Sequence, residues 1–155
     1  MDTIRDEMRV TKRNGKYEDI RFDKILKRVK TIGEEQDIKL GFSQLCLKVI
    51  DQLYDGIPTA KIDELMAEQC ASLISDHPDY GRLAAAVSIS NLHKNTSTSF
   101  YETMKQLWTF SDVNNVPTSL ISQDLWTIVN GNTQQLEDML DYKRDYLIDY
   151  FGLKT

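Results

Sequence analysis

The stretch Met8-Arg9-Val10-Thr11-Lys12-Arg13-Asn14-Gly15-Lys16-Tyr17-Glu18-Asp19-Ile20-Arg21-Phe22 decides how the chain begins to fold. Two short β-forming runs flank Asn14-Gly15, a strong hairpin signal. Parity selects the register. A two-residue loop pairs Val10 with Asp19 and sends Met8 and Val10 to the face opposite Ile20 and Phe22. A three-residue loop, Arg13-Asn14-Gly15, places Gly15 in the left-handed bulge position and pairs Met8 with Ile20. That register gathers Met8, Val10, Ile20 and Phe22 on one face. It is the one expected, because a lone ribbon must press an apolar face onto something else.

Upstream, residues 1–7 are charged and aperiodic and read as a flexible extension. Downstream, Asp23 reads as the N-cap of a helix whose stripe is Ile25, Leu26, Val29 and Ile32, with Lys24, Lys27, Arg28 and Lys30 directed mostly elsewhere and Gly33 as its stop. A second helix is expected from an N-cap at Ser43 to Tyr54, with Leu45, Val49, Ile50 and Leu53 inward. Thr59 caps a third, with Ile62, Leu65, Met66, Cys70, Leu73 and Ile74 at helical spacing. His77-Pro78-Asp79-Tyr80 starts a fourth, with Leu83, Ala84, Val87 and Leu92 inward. Residues 8–95 therefore read as a β-hairpin followed by four helices, and 96–155 as a further helical region. In the latter, Ser97 or Thr98 opens a helix, and 111–117 is a polar loop and the best candidate boundary. A helix is expected from Pro117 to Val129, and another from Thr133. The aromatic end, Tyr146 to Gly152, reads as the approach to a larger body.

Composition agrees with a mainly α fold. Seven Gly and three Pro in 155 residues fall well below the average usage of about 12%. The hydrophobic share of 41% supports one ordinary core. A net charge of −5 argues against binding nucleic acid through bulk charge. No apolar run approaches the ~18 residues of a membrane span, and the first residues are no signal peptide. Cys46 and Cys70 cannot build a disulfide framework or a four-thiolate zinc site. Both lie in apolar helical stretches, as reduced, inert thiols do. The reading is a cytoplasmic protein.

Chemistry-bearing residues are sparse. Lys12, Arg13 and Lys16 flank the hairpin turn, and Arg21 and Lys24 follow where the second strand enters a helix. Cations beside a helix N-terminus suit a phosphate chain. The same cations also suit a solvated hairpin edge, where Lys blunts edge-to-edge pairing. No glycine-rich phosphate loop of known spacing occurs. His77 and His93 have no third ligand at metal spacing, so no metal site is expected. Asp63 and Glu64 read as exposed first-turn acids serving the helix dipole. No complete catalytic constellation is present.

The pattern Val10-x-Lys12-Arg13-x-Gly15-x-x-Glu18-x-x-x-Phe22-Asp23-Lys24-Ile25, continued by Leu53-Tyr54-x-Gly56-x-x-Thr59-x-x-Ile62-Asp63, resembles the ATP-cone of ribonucleotide reductases. Beyond it, His77-Pro78-Asp79-Tyr80-x-x-Leu83-Ala84-Ala85 and Ile89-Ser90-Asn91-Leu92-His93-Lys94-x-Thr96 are similar to the class I ribonucleoside-diphosphate reductase large subunit. Tyr150-Phe151-Gly152-Leu153-Lys154-Thr155 is similar to the segment leading into that family's catalytic barrel.

The resemblance implies an allosteric site for ATP as activator or dATP as inhibitor, accompanied by Mg²⁺. It implies that Lys12 and Arg13 hold phosphates, and that Glu18, Asp19, Ile20, Arg21, Phe22, Asp23 and Lys24 line the nucleotide. Thr59 and Asp63 would close the site, and Lys94 would add a phosphate contact. The implied partners are the rest of the large subunit, the radical-generating small subunit and further copies in a nucleotide-dependent homo-oligomer. Two departures stand out: Ala86 where the family usually has Arg, and Asn14 where Asp is common. The family's redox cysteines match neither Cys46 nor Cys70, so these residues alone cannot reduce a ribonucleotide. Two other readings remain open: a stand-alone ATP-cone regulator, which would need a zinc ribbon, and a helical interaction domain that binds no nucleotide.

Overall fold

A computed structural model describes residues 8–155; the extension expected over 1–7 lies outside the described residues. The chain divides into two compact units, one of residues up to Asn95 together with Asp145–Thr155, the other Thr96–Arg144.

The first unit opens with β1 (Arg9–Thr11) and β2 (Tyr17–Asp19). Their register is the expected one, Arg9 opposite Asp19 and Val10 opposite Glu18, with the Ile20 amide donating to the Met8 carbonyl at 2.9 Å. The three-residue loop closes with Gly15 at φ +78°, a conformation that glycine adopts without steric cost. Val10 is buried, and Met8, Ile20 and Phe22 are half-buried. A two-residue strand, β3 (Ile57–Pro58), runs parallel to β1 on its other side and gives the sheet order β2-β1-β3. Two residues carry too little alternation to be read from sequence, so this strand went unanticipated. It is anchored by Arg9 N–H donating to the Asp55 carboxylate at 2.8 Å, and by the Thr11 hydroxyl donating to the Gly56 carbonyl at 2.8 Å.

Around the sheet pack α1 (Phe22–Glu35), α2 (Phe42–Ile50), α3 (Thr59–Ser72) and α4 (Asp79–Asn95), with α8 (Tyr150–Lys154) returning onto α4. The core holds Val29 and Ile32 from α1, Leu45 and Val49 from α2, Ile62, Met66 and Cys70 from α3, and Leu83, Val87 and Ile89 from α4. Tyr150 of α8 joins it. The α3–α4 pair is the most extensive, and α4 buries Ala84, Ala85 and Ala86, whose small side chains suit close helix packing.

Several helix starts differ from expectation. α1 is preceded by Arg21 rather than capped by Asp23, whose carboxylate accepts from the Arg21 guanidinium at 2.7 and 3.2 Å. α2 begins one residue before Ser43, after Gly41, and ends at Ile50 rather than Tyr54. Thr59 is the first residue of α3, with Pro58 at its N-cap. On α4, Leu92 is 52% exposed and Asn91 takes the inward position instead. Cys46 and Cys70 are buried free thiols, and burial pushes them up to about 11 and about 12.

Gly33 does not stop α1; the helix passes through it. A Cβ there would lie 2.5 Å from the tip of the Phe42 ring, so α2 approaches only because position 33 is glycine. Overpacking costs ~1–3 kcal/mol against the ~1 kcal/mol that alanine gains in helix propensity. Gly33→Ala is expected to lower the melting temperature, at a net cost of about 1 kcal/mol. In a Phe42→Leu background the same change is expected to be neutral or stabilising. Equal effects in both backgrounds would remove the ring as the cause.

The second unit contains α5 (Phe100–Trp108), α6 (Gln123–Gly131) and α7 (Thr133–Asp138), and a 3₁₀ turn (Tyr142–Leu147) leads out of it. The α5 cap is Ser99 rather than Ser97 or Thr98, its hydroxyl accepting from the Glu102 amide. The Glu137 carboxylate also accepts from the Phe100 amide, at 3.0 and 3.1 Å, a favourable charge at a helix N-terminus. Tyr101, Trp126 and Trp108 stack in sequence, each centroid 5.8 Å from the next. Residues 117–121 are not helical, because Pro117 bridges Ser111 and α6 waits for its Ser122 cap. The polar loop 111–117 thus lies inside this unit instead of marking a boundary.

Candidate functional site

In the first unit, a cavity of about 530 Å³ opens between the hairpin turn, α1, α3 and α4, within the size range of small-molecule sites. Two helices face it with the same periodicity. Ile25, Arg28, Val29 and Ile32 on α1, and Thr59, Ile62, Asp63 and Met66 on α3, all line it. Each set follows the i, i+3, i+4, i+7 spacing of one helical face. Val87 and Lys94 contribute from α4, and Lys12, Arg13 and Asn14 from the turn. Five aliphatic side chains and Met66 thus make an apolar floor beneath a charged rim.

The charged groups are tied together in two clusters. Asp63 is buried, and its carboxylate accepts from Arg28 Nε at 2.7 Å and Nη2 at 2.8 Å. Arg13 Nη2 adds a third bond at 3.2 Å. The expectation of an exposed Asp63 is therefore overturned: the carboxylate is buried, and a bidentate arginine partner satisfies both its oxygens. Glu64 beside it stays at the surface, accepting from Lys61 at 2.9 Å. The second cluster is Glu18, whose carboxylate meets Lys12 Nζ at 3.0 Å and Lys24 Nζ at 3.4 Å. The Lys12 hydrogen bond, and then that of Lys24, hold the Glu18 carboxyl below its ordinary value. Lys94, exposed at the rim but partly desolvated by the cavity wall, is pushed below the usual lysine value first by that desolvation and then by the positive Arg28 and Arg13, with Asp63 opposing.

Five cations (Lys12, Arg13, Lys24, Arg28, Lys94) face two carboxylates around one cavity, in a chain whose net charge is −5. Local excess of one sign in a low-dielectric cleft concentrates its field on a ligand of the opposite sign. An apolar floor under such a rim suits a molecule with an anionic chain and a flat, weakly polar body.

Of the residues named from sequence, Lys12, Arg13, Glu18, Lys24, Thr59, Asp63 and Lys94 converge on this cavity. Asp19, Ile20, Arg21, Phe22 and Asp23 do not line it. Asp19 alternates with Glu18 along β2 and is exposed, Ile20 packs on the core, Phe22 is half-buried, and Arg21 pairs with Asp23 at the surface. A contiguous run cannot aim every side chain at one ligand. Arg28 was missed. Its signal was present, since it occupies a position on the Ile25–Val29–Ile32 stripe and not on the solvent face. Among the described residues no group of His, Cys, Asp and Glu is placed to hold a metal ion.

Hairpin, helices and cavity together define a mainly helical module with a cation-rimmed, apolar-floored pocket. Residues 8–95 match the family model described as the ATP cone domain. The chain belongs to the ATP-cone family. It is 40% identical over 148 residues to the ribonucleoside-diphosphate reductase large subunit of Plasmodium falciparum (isolate Dd2), covering 96% of this chain and 18% of that protein. It is also 40% identical over 155 residues to the large subunit of Dictyostelium discoideum and 39% identical over 154 to that of Arabidopsis thaliana, each match again spanning 96% of this chain and 18% of the relative. The chain thus spans about a fifth of the length of these curated relatives.

Proposed function

We propose that the cavity binds ATP as activator and dATP as inhibitor, and that the chain is the allosteric N-terminal portion of a class I ribonucleoside-diphosphate reductase large subunit. Residues 8–95 would form the nucleotide-binding domain, with 96–155 leading toward a catalytic barrel. The observation that carries this reading is the ring of five cations above an aliphatic floor. Lys12, Arg13, Lys24 and Lys94 would take the phosphates. Thr59 and the α1–α3 floor would meet the sugar and base, with Asp63 fixing the arginines. Mg²⁺ would arrive with the triphosphate.

The chain's own cysteines, buried with raised thiol pKa, are poor nucleophiles. Reduction of ribonucleotides would therefore belong to other parts of the assembly. The proposed partners are those other parts of the large subunit, the radical-generating small subunit and further copies of the chain. A cytoplasmic setting goes with this role; among the described residues no helix is long and apolar enough to cross a membrane.

Titration of the chain with Mg²⁺ and each nucleotide is expected to give micromolar dissociation constants, about 8 kcal/mol of binding free energy. At a hundredfold excess over that constant, the folded state gains ~2.7 kcal/mol and melts several degrees higher. Neither heat nor a melting shift from either nucleotide would sink the reading and leave a helical interaction domain in its place. Gel filtration with and without dATP tests the oligomer.

A further inference from the structure

We propose that Asn91 and Asn95, at the C-terminal end of α4, are positioning residues that present Arg13 to the terminal phosphates of the nucleotide. This rests on the nucleotide reading of the cavity and deepens it. Arg13 sits on a three-residue hairpin turn, which by itself gives a long side chain no fixed direction. α4 supplies that direction. Asn95 Oδ1 accepts from Arg13 Nε at 2.7 Å, and Asn91 Oδ1 accepts from Arg13 Nη2 at 2.5 Å.

The holder is itself held. Asn91 is 8% exposed, and its Nδ2 donates to the Ala60 carbonyl on α3 at 3.3 Å. Asn95 Nδ2 in turn donates to Asn91 Oδ1 at 3.3 Å. With Asp63 also taking Arg13 Nη2, one edge of the guanidinium is fixed by three side chains from two helices. Among the described residues no hydrogen bond engages Nη1 of this cavity-lining arginine. An arginine fork with one edge locked loses less freedom on binding an anion with the other. Asn95 therefore acts on the phosphates without touching them, and its effect grows with phosphate number.

The two asparagines are not equivalent as probes. Asn91 is buried, and its removal threatens the fold; Asn95 is exposed and offers a clean variant. The experiment is titration calorimetry of the chain with ATP and with AMP, in the presence of Mg²⁺, for wild type, Asn95→Ala, Asn95→Gln, Arg13→Ala and the Asn95→Ala/Arg13→Ala pair. Asn95→Ala is expected to weaken ATP about fivefold and AMP less than twofold, with Asn95→Gln recovering part of the ATP affinity by restoring a carbonyl acceptor. In the Arg13→Ala background, Asn95→Ala is expected to have no further effect, the signature of one residue acting through another. Equal losses for ATP and AMP, or losses that add to that of Arg13→Ala, would overturn the positioning role while leaving nucleotide binding standing. Wild type that takes up neither nucleotide would instead overturn the functional reading beneath it.

Discussion

Asp63→Ala is expected to cost about 3 kcal/mol of folding stability, the low end of the range for removing one partner of a buried ion pair. The low end applies because the two arginines, unlike the carboxylate, keep roughly a quarter to a third of their side chains in contact with solvent: Arg28 is 26% exposed, Arg13 30% and Asp63 7%. Without the carboxylate, two guanidinium groups face one another across α1, the hairpin turn and α3 with their shared acceptor gone. A domain of this size then melts more than ten degrees lower, at the ~4 °C or more per kcal/mol typical of such chains. The loss is expected to be salt-sensitive in a particular way. Polyvalent anions, pyrophosphate or sulfate, should restore part of the melting temperature to Asp63→Ala and little to wild type, because they replace the missing counter-charge. A variant that melts within two degrees of wild type would show that solvent already satisfies both arginines, and Asp63 would lose its place as the keystone of the cavity.

Asp63 also shows where sequence reading stops. The hairpin was fully legible: the parity of Met8, Val10, Ile20 and Phe22, together with one glycine able to take φ +78°, leaves a single register that buries an apolar face. Local chemistry specified it, within a dozen residues. The partners of Asp63 lie 35 and 50 residues away, and no local pattern records such distances. Asp63 falls just beyond the first turn of α3, and an acid near a helix start looks the same in sequence whether it serves the dipole or holds two arginines. Capping predictions failed for a related reason. Asp23 had the right chemistry for an N-cap, but Arg21, two residues back, engages both its oxygens.

Arg28 was legible in principle and misread in practice. Charged residues on an amphipathic helix are assigned to solvent by default, yet position 28 shares the stripe of Ile25, Val29 and Ile32. A cation on an apolar stripe either pairs with a buried partner or lines a hole, and half-buried Arg28 does both. The opposite error occurred at Leu92, assigned inward by composition although Asn91 holds the inward position. In both cases the residue that breaks the hydrophobic pattern belongs to the polar network around the cavity. That is where local and global preferences conflict in natural sequences.

The largest effect on binding is expected from reversing charge at Lys24 and Lys94 together. Both are exposed at the cavity rim, so Lys24→Glu/Lys94→Glu changes the field without emptying the core. Five cations against two carboxylates become three against four, and a rim of net positive charge becomes one of net negative charge. At ~4 Å and an effective dielectric constant near that of a protein surface, one unit-charge interaction is worth about 4 kcal/mol before screening. Screening and the mobility of exposed lysines reduce this severalfold, and a combined loss of at least a hundredfold in ATP affinity remains. Stability is expected to move by less than 1 kcal/mol, since Lys24 loses only a surface pairing with Glu18 that is worth little. Raising the salt concentration should weaken wild type steadily and the variant hardly at all. That contrast separates an electrostatic pocket from a misfolded one. If the variant still binds ATP within tenfold of wild type, the phosphates lie away from this rim, and the cation ring is a solvated surface and not a binding site.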